Sequence, residues 1–393
     1  MRWASAFLLT GTLALMSLGL VMIASVADVQ GIVLHNDPTH FLRSQALFDA
    51  VALAGCAVIA CVRPRFWFRR GTMIALVAVI AASLVVVHVP GLGRTVKGSA
   101  RWIRLPGLSL QPSEFVKIAA IVLVSGWIGD SEKKAAAFKT GVLVPFAGLA
   151  LVVVGFLLQP DLGSSVMLVA ITSAILFVGG VKIRHLLLVG LVACVGLGAF
   201  LLGDAERMSR ITSVFSHRGG SSEVLSISED ADGYQLRMGL SAFAAGGARG
   251  VGLGKSLFKE RYLPENHTDF IFAMVGEELG LAATMPCLLL YAALAAAGFF
   301  VAYRAPERRQ RLLALGMTLQ ICFSAAVNIG VVTGCLPTKG LALPFLSYGG
   351  SSLVGSVGAV GFLLGIGWRP GAPRPAKVAA SGGGDGITDI WNE

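Results

Sequence analysis

Residues 262–273 read Tyr-Leu-Pro-Glu-Asn-His-Thr-Asp-Phe-Ile-Phe-Ala, and here a long polar segment turns into an apolar run that predicts a helix. A carboxylate, Asp269, stands at the junction. Thr268 or Asp269 is a natural N-cap for that helix. With Glu265 and His267 close by in the sequence, Asp269 is also a candidate general base. The residues alone leave both roles open, and an Asp at a helix start is more often a cap than a base.

The composition places this stretch in a membrane protein. Of the 393 residues, 55% are hydrophobic and only 14% are charged, and the mean hydropathy is +0.76. Apolar runs of about 20 residues recur along the chain, which is the length that crosses a bilayer as a helix. The six cysteines show no CxxC or other metal-ligand spacing and are interpreted as core residues. We therefore predict an all-α polytopic membrane protein rather than a soluble domain.

Ten apolar segments predict ten transmembrane helices with both termini on one side. The first, at about 4–26, is longer than the apolar core of a secretory signal peptide, so we interpret it as a retained anchor. Gln159-Pro160-Asp161 separates two spans so closely that it predicts a helical hairpin. The eighth span begins at Asp269 and carries Pro286, a predicted kink. The other spans are predicted at about 45–62, 72–90, 112–129, 140–158, 162–180, 186–203, 312–334 and 351–368.

These spans form one predicted domain, residues 1–369. Its single long extramembrane segment, at about 204–268, connects spans seven and eight. Residues 370–393 are rich in Gly, Ala and Pro, a composition that predicts a disordered tail.

The distribution of Lys and Arg indicates which side is cytoplasmic. The termini and one alternate set of connecting segments carry 17 of these residues, and the short loops opposite carry 6. The positive-inside rule therefore places both termini in the cytoplasm and Asp269 at the outer face. Four of the six outer charges stand in one loop, as Arg94, Lys97, Arg101 and Arg104. They predict either an anionic ligand at the outer face or contacts with solvent and lipid phosphates.

Polar residues within or at the edge of the spans are costly and therefore informative. Glu114 and Lys117 are three residues apart, hence on one face of span four, as a structural ion pair or as part of a site. On a helix that starts at Asp269, Glu277 is the nearer neighbour of Asp269, and Glu278 points toward another helix. Gln159, Asp161 and Lys339 are further polar residues in the outer half.

Three other patterns carry little weight. Residues 246–254 resemble a phosphate-binding loop, but no strand pattern precedes them, so we interpret them as flexible, close-packing backbone. His267 and Asp269 lack the spacing of a structural metal site, although a loosely bound Mg²⁺ or Mn²⁺ is compatible with them. Basic residues beside aromatic ones face outward from a membrane, which excludes nucleic acid as a partner.

Four motifs carry a resemblance to a known family. They are Arg-Trp-Ile-Arg-Leu-Pro-Gly-Leu-Ser-Leu-Gln-Pro-Ser-Glu-Phe-Val-Lys (101–117), Gln-Pro-Asp-Leu-Gly-Ser-Ser (159–165), the opening stretch followed by Glu-Glu-Leu-Gly (277–280), and Pro-Thr-Lys-Gly-Leu-Ala-Leu-Pro-Phe-Leu-Ser-Tyr-Gly-Gly-Ser-Ser (337–352). In this order and at this spacing they resemble the SEDS family (shape, elongation, division and sporulation) over about residues 3–369. The stretch at 337–340 is more similar to the division members than to the elongation members.

The resemblance implies a ten-span peptidoglycan glycosyltransferase. It would polymerise lipid II, an undecaprenyl-diphosphate-linked disaccharide pentapeptide, on the outer face of the bacterial cytoplasmic (inner) membrane, at the division septum. The implied partners are a class B penicillin-binding transpeptidase and other membrane proteins of the division complex. A lipid II flippase or transporter is one alternative and would have interrupted helices in two related halves. A non-catalytic division scaffold is another and would need no outer carboxylate.

The resemblance also implies roles for individual residues. Asp269 matches the family's essential carboxylate, and as a base it would accept the proton of an attacking sugar hydroxyl. Arg101, Lys117 and Lys339 would stabilise the departing diphosphate, with a divalent cation (Mg²⁺ or Mn²⁺) as an optional addition and no certain cofactor. The predicted substrate-binding residues are Arg101, Glu114, Lys117, Gln159, Asp161, Glu265, His267, Thr268, Lys339 and Ser347.

Overall fold

The computed structural model describes residues 1–89, 91–96, 99–105, 108–202, 231–258, 267–336 and 341–369. The tail that was predicted to be disordered, residues 370–393, lies outside the described residues. The helices are α1 (Arg2–Val26), α2 (Asp28–His35), α3 (His40–Cys61), α4 (Arg70–Val86), α5 (Pro112–Gly129), α6 (Glu132–Ala136), α7 (Val144–Leu158), α8 (Leu162–Val178), α9 (Ile183–Leu202), α10 (Ala231–Gly246), α11 (Ile271–Leu279), α12 (Leu281–Arg304), α13 (Arg308–Val332) and α14 (Gly350–Gly367). The strands are β1 (Gly93–Val96), β2 (Ser99–Leu105) and β3 (Leu108–Leu110), and two further turns of helix are the 3₁₀ turn Pro64–Phe68 and the π turn Lys139–Leu143.

Seven of the described helices are long and apolar enough to cross a membrane. They are α1, α3, α5, α7 with the turn before it, α12, α13 and α14; α4, α8 and part of α9 are apolar but shorter. On α3, Leu47, Val51 and Val58 are 59%, 51% and 65% exposed, whereas Ala52 and Cys56 on another face are buried. In a bilayer the exposed aliphatic stripe would face lipid, because it has no polar groups to solvate. The polytopic helical membrane fold is thus confirmed, and the total of ten spans stays a prediction.

Helix α14 lies at the centre of the bundle and packs closely on α3. A Cβ atom at Gly361 would lie 2.9 Å from the Cys56 carbonyl oxygen, and one at Gly365 would lie 3.3 Å from the Ala60 carbonyl oxygen. Small residues at such positions let two helix backbones approach within a membrane. α14 also contacts α1, α5 and α13 and is almost wholly buried.

Ionic contacts join segments that were predicted to be cytoplasmic. Arg65, after α3, pairs with Glu307, before α13, at 2.6 Å. Asp130, after α5, pairs with Lys134 at 2.6 Å and also with Arg309. Three connections predicted on the same side of the membrane therefore meet at one end of the bundle, in agreement with the predicted alternation of the loops.

The basic outer loop is more ordered than predicted. The all-α prediction gave no strands here, but the loop forms a three-stranded antiparallel sheet in the order β1-β2-β3. Arg94 pairs with Trp102 between β1 and β2, and Arg104 pairs with Ser109 between β2 and β3. The sheet leads directly into α5, so it places Arg101 near the outer start of that helix.

The predicted eighth span is two helices, α11 and α12. The chain breaks at Gly280, whose φ is +71°. Pro286 lies within α12, and the kink predicted there stays a prediction. The segment 246–254 wraps around this break: the Val251 N–H donates to the Glu277 carbonyl and the Gly252 N–H to the Glu278 carbonyl, both at 2.9 Å. The interpretation of this glycine-rich segment as close-packing backbone is confirmed, and its hydrogen bonds fix it instead of leaving it flexible.

Two connections contain short helices that were not predicted. Residues 28–44, expected to be a loop, contain α2, which ends at Asn36 in the left-handed conformation (φ 55°) that Asn tolerates. The charged turn at 130–139 contains α6. Both helices are shorter than two and a half turns, so hydropathy alone gave no signal for them.

Candidate active site

The turn His267-Thr268-Asp269 lies against the segment that joins α13 to α14. The Tyr348 N–H donates to the His267 carbonyl (2.9 Å), and the Ser347 hydroxyl donates to the Thr268 carbonyl (2.6 Å). Both donors come from a part of the chain about 80 residues away in sequence. The backbone on the N-terminal side of the candidate base is therefore fixed by a buried neighbour.

Asn328, on α13, holds the carbonyl of the candidate base itself. Its side-chain Nδ2 donates to the Asp269 carbonyl at 2.8 Å and to the Leu341 carbonyl at 2.7 Å. The side chain is 1% exposed. No motif pattern singled out Asn328, and its presence as an amide within an apolar span was the available signal.

Neither Thr268 nor Asp269 caps the helix that follows. α11 begins at Ile271 with Phe270 as its N-cap, and the cap makes no side-chain hydrogen bond. The turn is held by partners from α13 and from the segment after it, so the chain enters the helix two residues later than predicted. The capping role considered for Asp269 is therefore wrong, while Asp269 remains half-buried at the mouth of α11.

His267 lies in an aromatic cluster. Its ring centroid is 4.9 Å from that of Phe41 and 5.5 Å from that of Tyr348. Burial raises the pKa of the Tyr348 hydroxyl above its ordinary value, and a hydrogen bond with the Ser44 side chain acts in the opposite direction. The Tyr348 hydroxyl therefore stays protonated at neutral pH. Through Phe41, the cluster packs α3 against the turn that contains His267 and against the segment that contains Tyr348.

Ser347 has a structural role in addition to the predicted one. Its hydroxyl accepts from the Leu343 N–H (2.8 Å) while it donates to the Thr268 carbonyl, and the residue is 3% exposed. The segment around it is braced by the Tyr291 hydroxyl, which donates to the Pro344 carbonyl. The predicted contact of Ser347 with substrate stays a prediction.

Glu114 and Lys117 form a buried ion pair near the start of α5. Their Oε1 and Nζ atoms are 2.9 Å apart, and the side chains are 9% and 1% exposed. The prediction that they share one helix face is confirmed. Gly355 of α14 lies beside them, since a Cβ there would be 3.6 Å from the second Glu114 carboxylate oxygen.

The predicted hairpin is present between α7 and α8, and its polar residues are buried. Asp161 is the N-cap of α8 and accepts from the Ser164 N–H at 3.1 Å. Within the described parts of the chain, Gln159 Nε2 and the second Asp161 carboxylate oxygen have no hydrogen-bond partner. A Cβ at Gly163 would lie 3.4 Å from the Leu341 side chain, so the hairpin adjoins the same segment that holds the Asp269 turn.

Residues 341–351 therefore connect most of the predicted site. They hold the Asp269 turn, adjoin the hairpin, and reach the start of α5 through Ser351, whose hydroxyl accepts from the Gln111 N–H at 2.8 Å. Arg101 lies on β2 and is half-buried. The predicted residues Glu265 and Lys339 lie outside the described residues.

The two adjacent carboxylates of α11, Glu277 and Glu278, accept hydrogen bonds from different parts of the chain. Glu278 accepts from the Ser25 hydroxyl of α1 at 2.6 Å, so its predicted contact with another helix is confirmed. Glu277 is fully buried and accepts from the Ser256 hydroxyl and from the Leu257 N–H at 2.7 Å. Its predicted proximity to Asp269 stays a prediction.

The described residues include no group of three or more His, Cys, Asp and Glu side chains placed to hold a metal ion. The loosely bound Mg²⁺ or Mn²⁺ considered from the sequence stays a prediction.

The fold is that of a polytopic helical membrane protein. It has a candidate acid–base site at one end of its bundle, where a half-buried carboxylate lies in a fixed turn and buried polar groups surround one connecting segment. The family model of FtsW, RodA and SpoVE, described as cell cycle protein, matches residues 6–369. The chain belongs to this family.

Individual relatives agree with that assignment. The chain is 38% identical over 360 residues to the probable peptidoglycan glycosyltransferase FtsW of Trichlorobacter lovleyi, covering 91% of this chain and 92% of the relative. It is similar to a chain from a structure of a peptidoglycan synthase complex that coordinates polymerization and crosslinking (26% identity, TM-score 0.72, 93% and 98% covered). It is also similar to the rod shape determining protein RodA of Thermus thermophilus (26% identity, TM-score 0.66, 93% and 97% covered).

Proposed function

We propose that this protein is a peptidoglycan glycosyltransferase that polymerises lipid II into glycan strands on the outer face of the cytoplasmic membrane. Membership of the FtsW, RodA and SpoVE family supports the reaction class, as does the relative named for that activity. The single observation in this chain that carries the proposal is Asp269, a half-buried carboxylate in a turn fixed by three carbonyl hydrogen bonds.

The proposed chemistry needs one base. The 4-hydroxyl of the acceptor sugar attacks the anomeric carbon of the donor, a new glycosidic C–O bond forms, and the bond to the polyprenyl diphosphate breaks. The hydroxyl proton passes to the Asp269 carboxylate. Direct attack inverts the anomeric centre, and the diphosphate leaves without protonation, so the second carboxylate of a glycosidase is not required.

The cationic residues have separate parts in this proposal. Arg101 is half-buried on the outer sheet and is the candidate for direct, charge-assisted contact with the diphosphate. Lys117 is paired with Glu114 and only 1% exposed, so we assign it to orienting the site. Lys339 stays a predicted diphosphate contact on sequence grounds.

We further propose that the protein works at the division septum with a class B penicillin-binding transpeptidase and other membrane proteins of the division complex. The support is the relative named FtsW and the similar structure of a complex that coordinates polymerization and crosslinking. The Pro-Thr-Lys-Gly stretch at 337–340 favours the division members of the family.

The test is to give the purified full-length protein lipid II in detergent and to look for glycan chains on a gel, alone and with the transpeptidase. The proposal predicts chains longer than one disaccharide. A flippase would move lipid II across liposome membranes without making chains, and a scaffold would do neither. Either of those outcomes would overturn the proposed function.

A further inference from the structure

On the basis of the function proposed above, we propose that Asn328 is a positioning residue for the general base Asp269. One buried amide joins two segments that are distant in sequence. Its Nδ2 donates to the Asp269 carbonyl (2.8 Å), 59 residues away, and to the Leu341 carbonyl (2.7 Å), 13 residues away.

The contact requires an amide with two donors in one plane. Both protons of Asn328 Nδ2 go to carbonyl oxygens, and the flipped amide would aim Oδ1 at the same two acceptors, so its orientation is fixed. A serine at this position could supply one donor, and an alanine none. An ionised aspartate would face both carbonyl oxygens with acceptors only.

Asn328 acts through the backbone and not on substrate. The residue is 1% exposed and lies on α13, from which its side chain contacts the Asp269 carbonyl. The carbonyl it holds belongs to the base itself, so it fixes the backbone from which the carboxylate extends. The same amide holds the start of segment 341–351, and the base and that segment therefore keep a constant relation.

Losing this contact should loosen the base without releasing the turn. The neighbouring carbonyls of His267 and Thr268 keep their own donors, the Tyr348 N–H and the Ser347 hydroxyl. The Asp269 carboxylate can then move relative to the substrate. Misplacement of a reacting group by about 1 Å can lower a rate on the order of 100-fold.

The test compares Asn328→Ala with Gln320→Ala in initial rates of lipid II polymerisation over a range of lipid II concentrations. Gln320 is the matched control because it is a buried amide on the same helix, 3% exposed and more than two turns before Asn328. We expect Asn328→Ala to lower kcat by about 10- to 100-fold with KM within about two-fold. Gln320→Ala should keep the wild-type kcat, even if it lowers the melting temperature by as much as Asn328→Ala does.

A double variant separates positioning from general destabilisation. In an Asp269→Asn background the base is absent, so Asn328→Ala should lower the residual rate no further. A merely structural role would lower that rate by the same factor as in the wild type, and this result would overturn the proposal. If Asn328→Ala fails to give monodisperse protein, Asn328→Ser takes its place. It keeps one donor, so its kcat should lie below that of the wild type, and a wild-type kcat for it would overturn the proposal.

The positioning role of Asn328 and the proposed glycosyltransferase activity can be refuted separately. An active wild type with an equally active Asn328→Ala protein overturns the positioning role alone. A folded wild type that makes no glycan under any condition overturns the proposed function and the positioning role with it.

Discussion

Lys117→Met should destabilise the protein by about 3–5 kcal/mol, because it leaves Glu114 buried without its partner charge. The two charged atoms are 2.9 Å apart and the side chains are only 1% and 9% exposed, so water replaces little of the lost interaction. Methionine keeps most of the length and the apolar stem of lysine. The expected loss is therefore that of an unpaired charge and not that of a cavity.

Removing both charges should restore most of that stability. Glu114→Gln combined with Lys117→Met replaces the pair by neutral groups of similar size, and such replacements in protein interiors are often neutral or stabilising. The matched control is Lys134→Met, which breaks the Lys134–Asp130 pair, whose side chains are 33% and 38% exposed. Exposed pairs contribute about 0–1 kcal/mol, so this variant should stay near the wild type.

The assay is reversible unfolding in mixed micelles, followed in parallel with lipid II polymerisation by the same samples. If Lys117→Met lost no more stability than Lys134→Met, the account of a buried, coupled pair would be refuted. A double variant with wild-type stability and no polymerisation would assign the pair to the site, whereas full activity would make it a structural ion pair only.

Two further predictions concern the backbone and the orientation. Gly250→Ala should cost about 2–5 kcal/mol, because φ is +75° and a Cβ there would overlap the Glu278 carbonyl oxygen. Gly254→Ala has the same φ but no atom within 4 Å of a Cβ, so it should cost only about 1–2 kcal/mol, and equal shifts in thermal unfolding would contradict the packing described here. A topology reporter after Arg70 or Arg309 should read cytoplasmic and one near Ser222 external, and the reverse pattern would overturn the orientation.

The membrane helices could be predicted because a segment in lipid must satisfy its backbone hydrogen bonds internally, as a helix does. A local apolar run of sufficient length therefore indicates a transmembrane helix without any information about distant residues. Span four was predicted at about 112–129 and is found at Pro112–Gly129. The break at Gly280 could not be predicted in this way. It depends on the distant segment 246–254, whose backbone is hydrogen-bonded to residues on both sides of the break.

The same distinction applies to the candidate site. The shared face of Glu114 and Lys117 follows from a spacing of three residues on one helix and was predictable. The hydrogen bonding of the Asp269 turn was not predictable. The local sequence favours a helix cap, whereas in the structure the Asp269 carbonyl accepts a hydrogen bond from Asn328, 59 residues further along the chain. Local propensity also gave no sign that Ser347 holds the Thr268 carbonyl.

The central claim, that Asp269 is the base of a polymerisation reaction, is tested most directly by Asp269→Asn. The Asp269 side chain does not cap α11, and its backbone carbonyl bond to Asn328 does not depend on the side chain, so the variant should insert and fold as the wild type does. With lipid II as substrate, purified and monodisperse variant protein should polymerise at least about 10²- to 10⁴-fold more slowly than the wild type. Glycan made at the wild-type rate by this variant would contradict the assignment of Asp269 as the base.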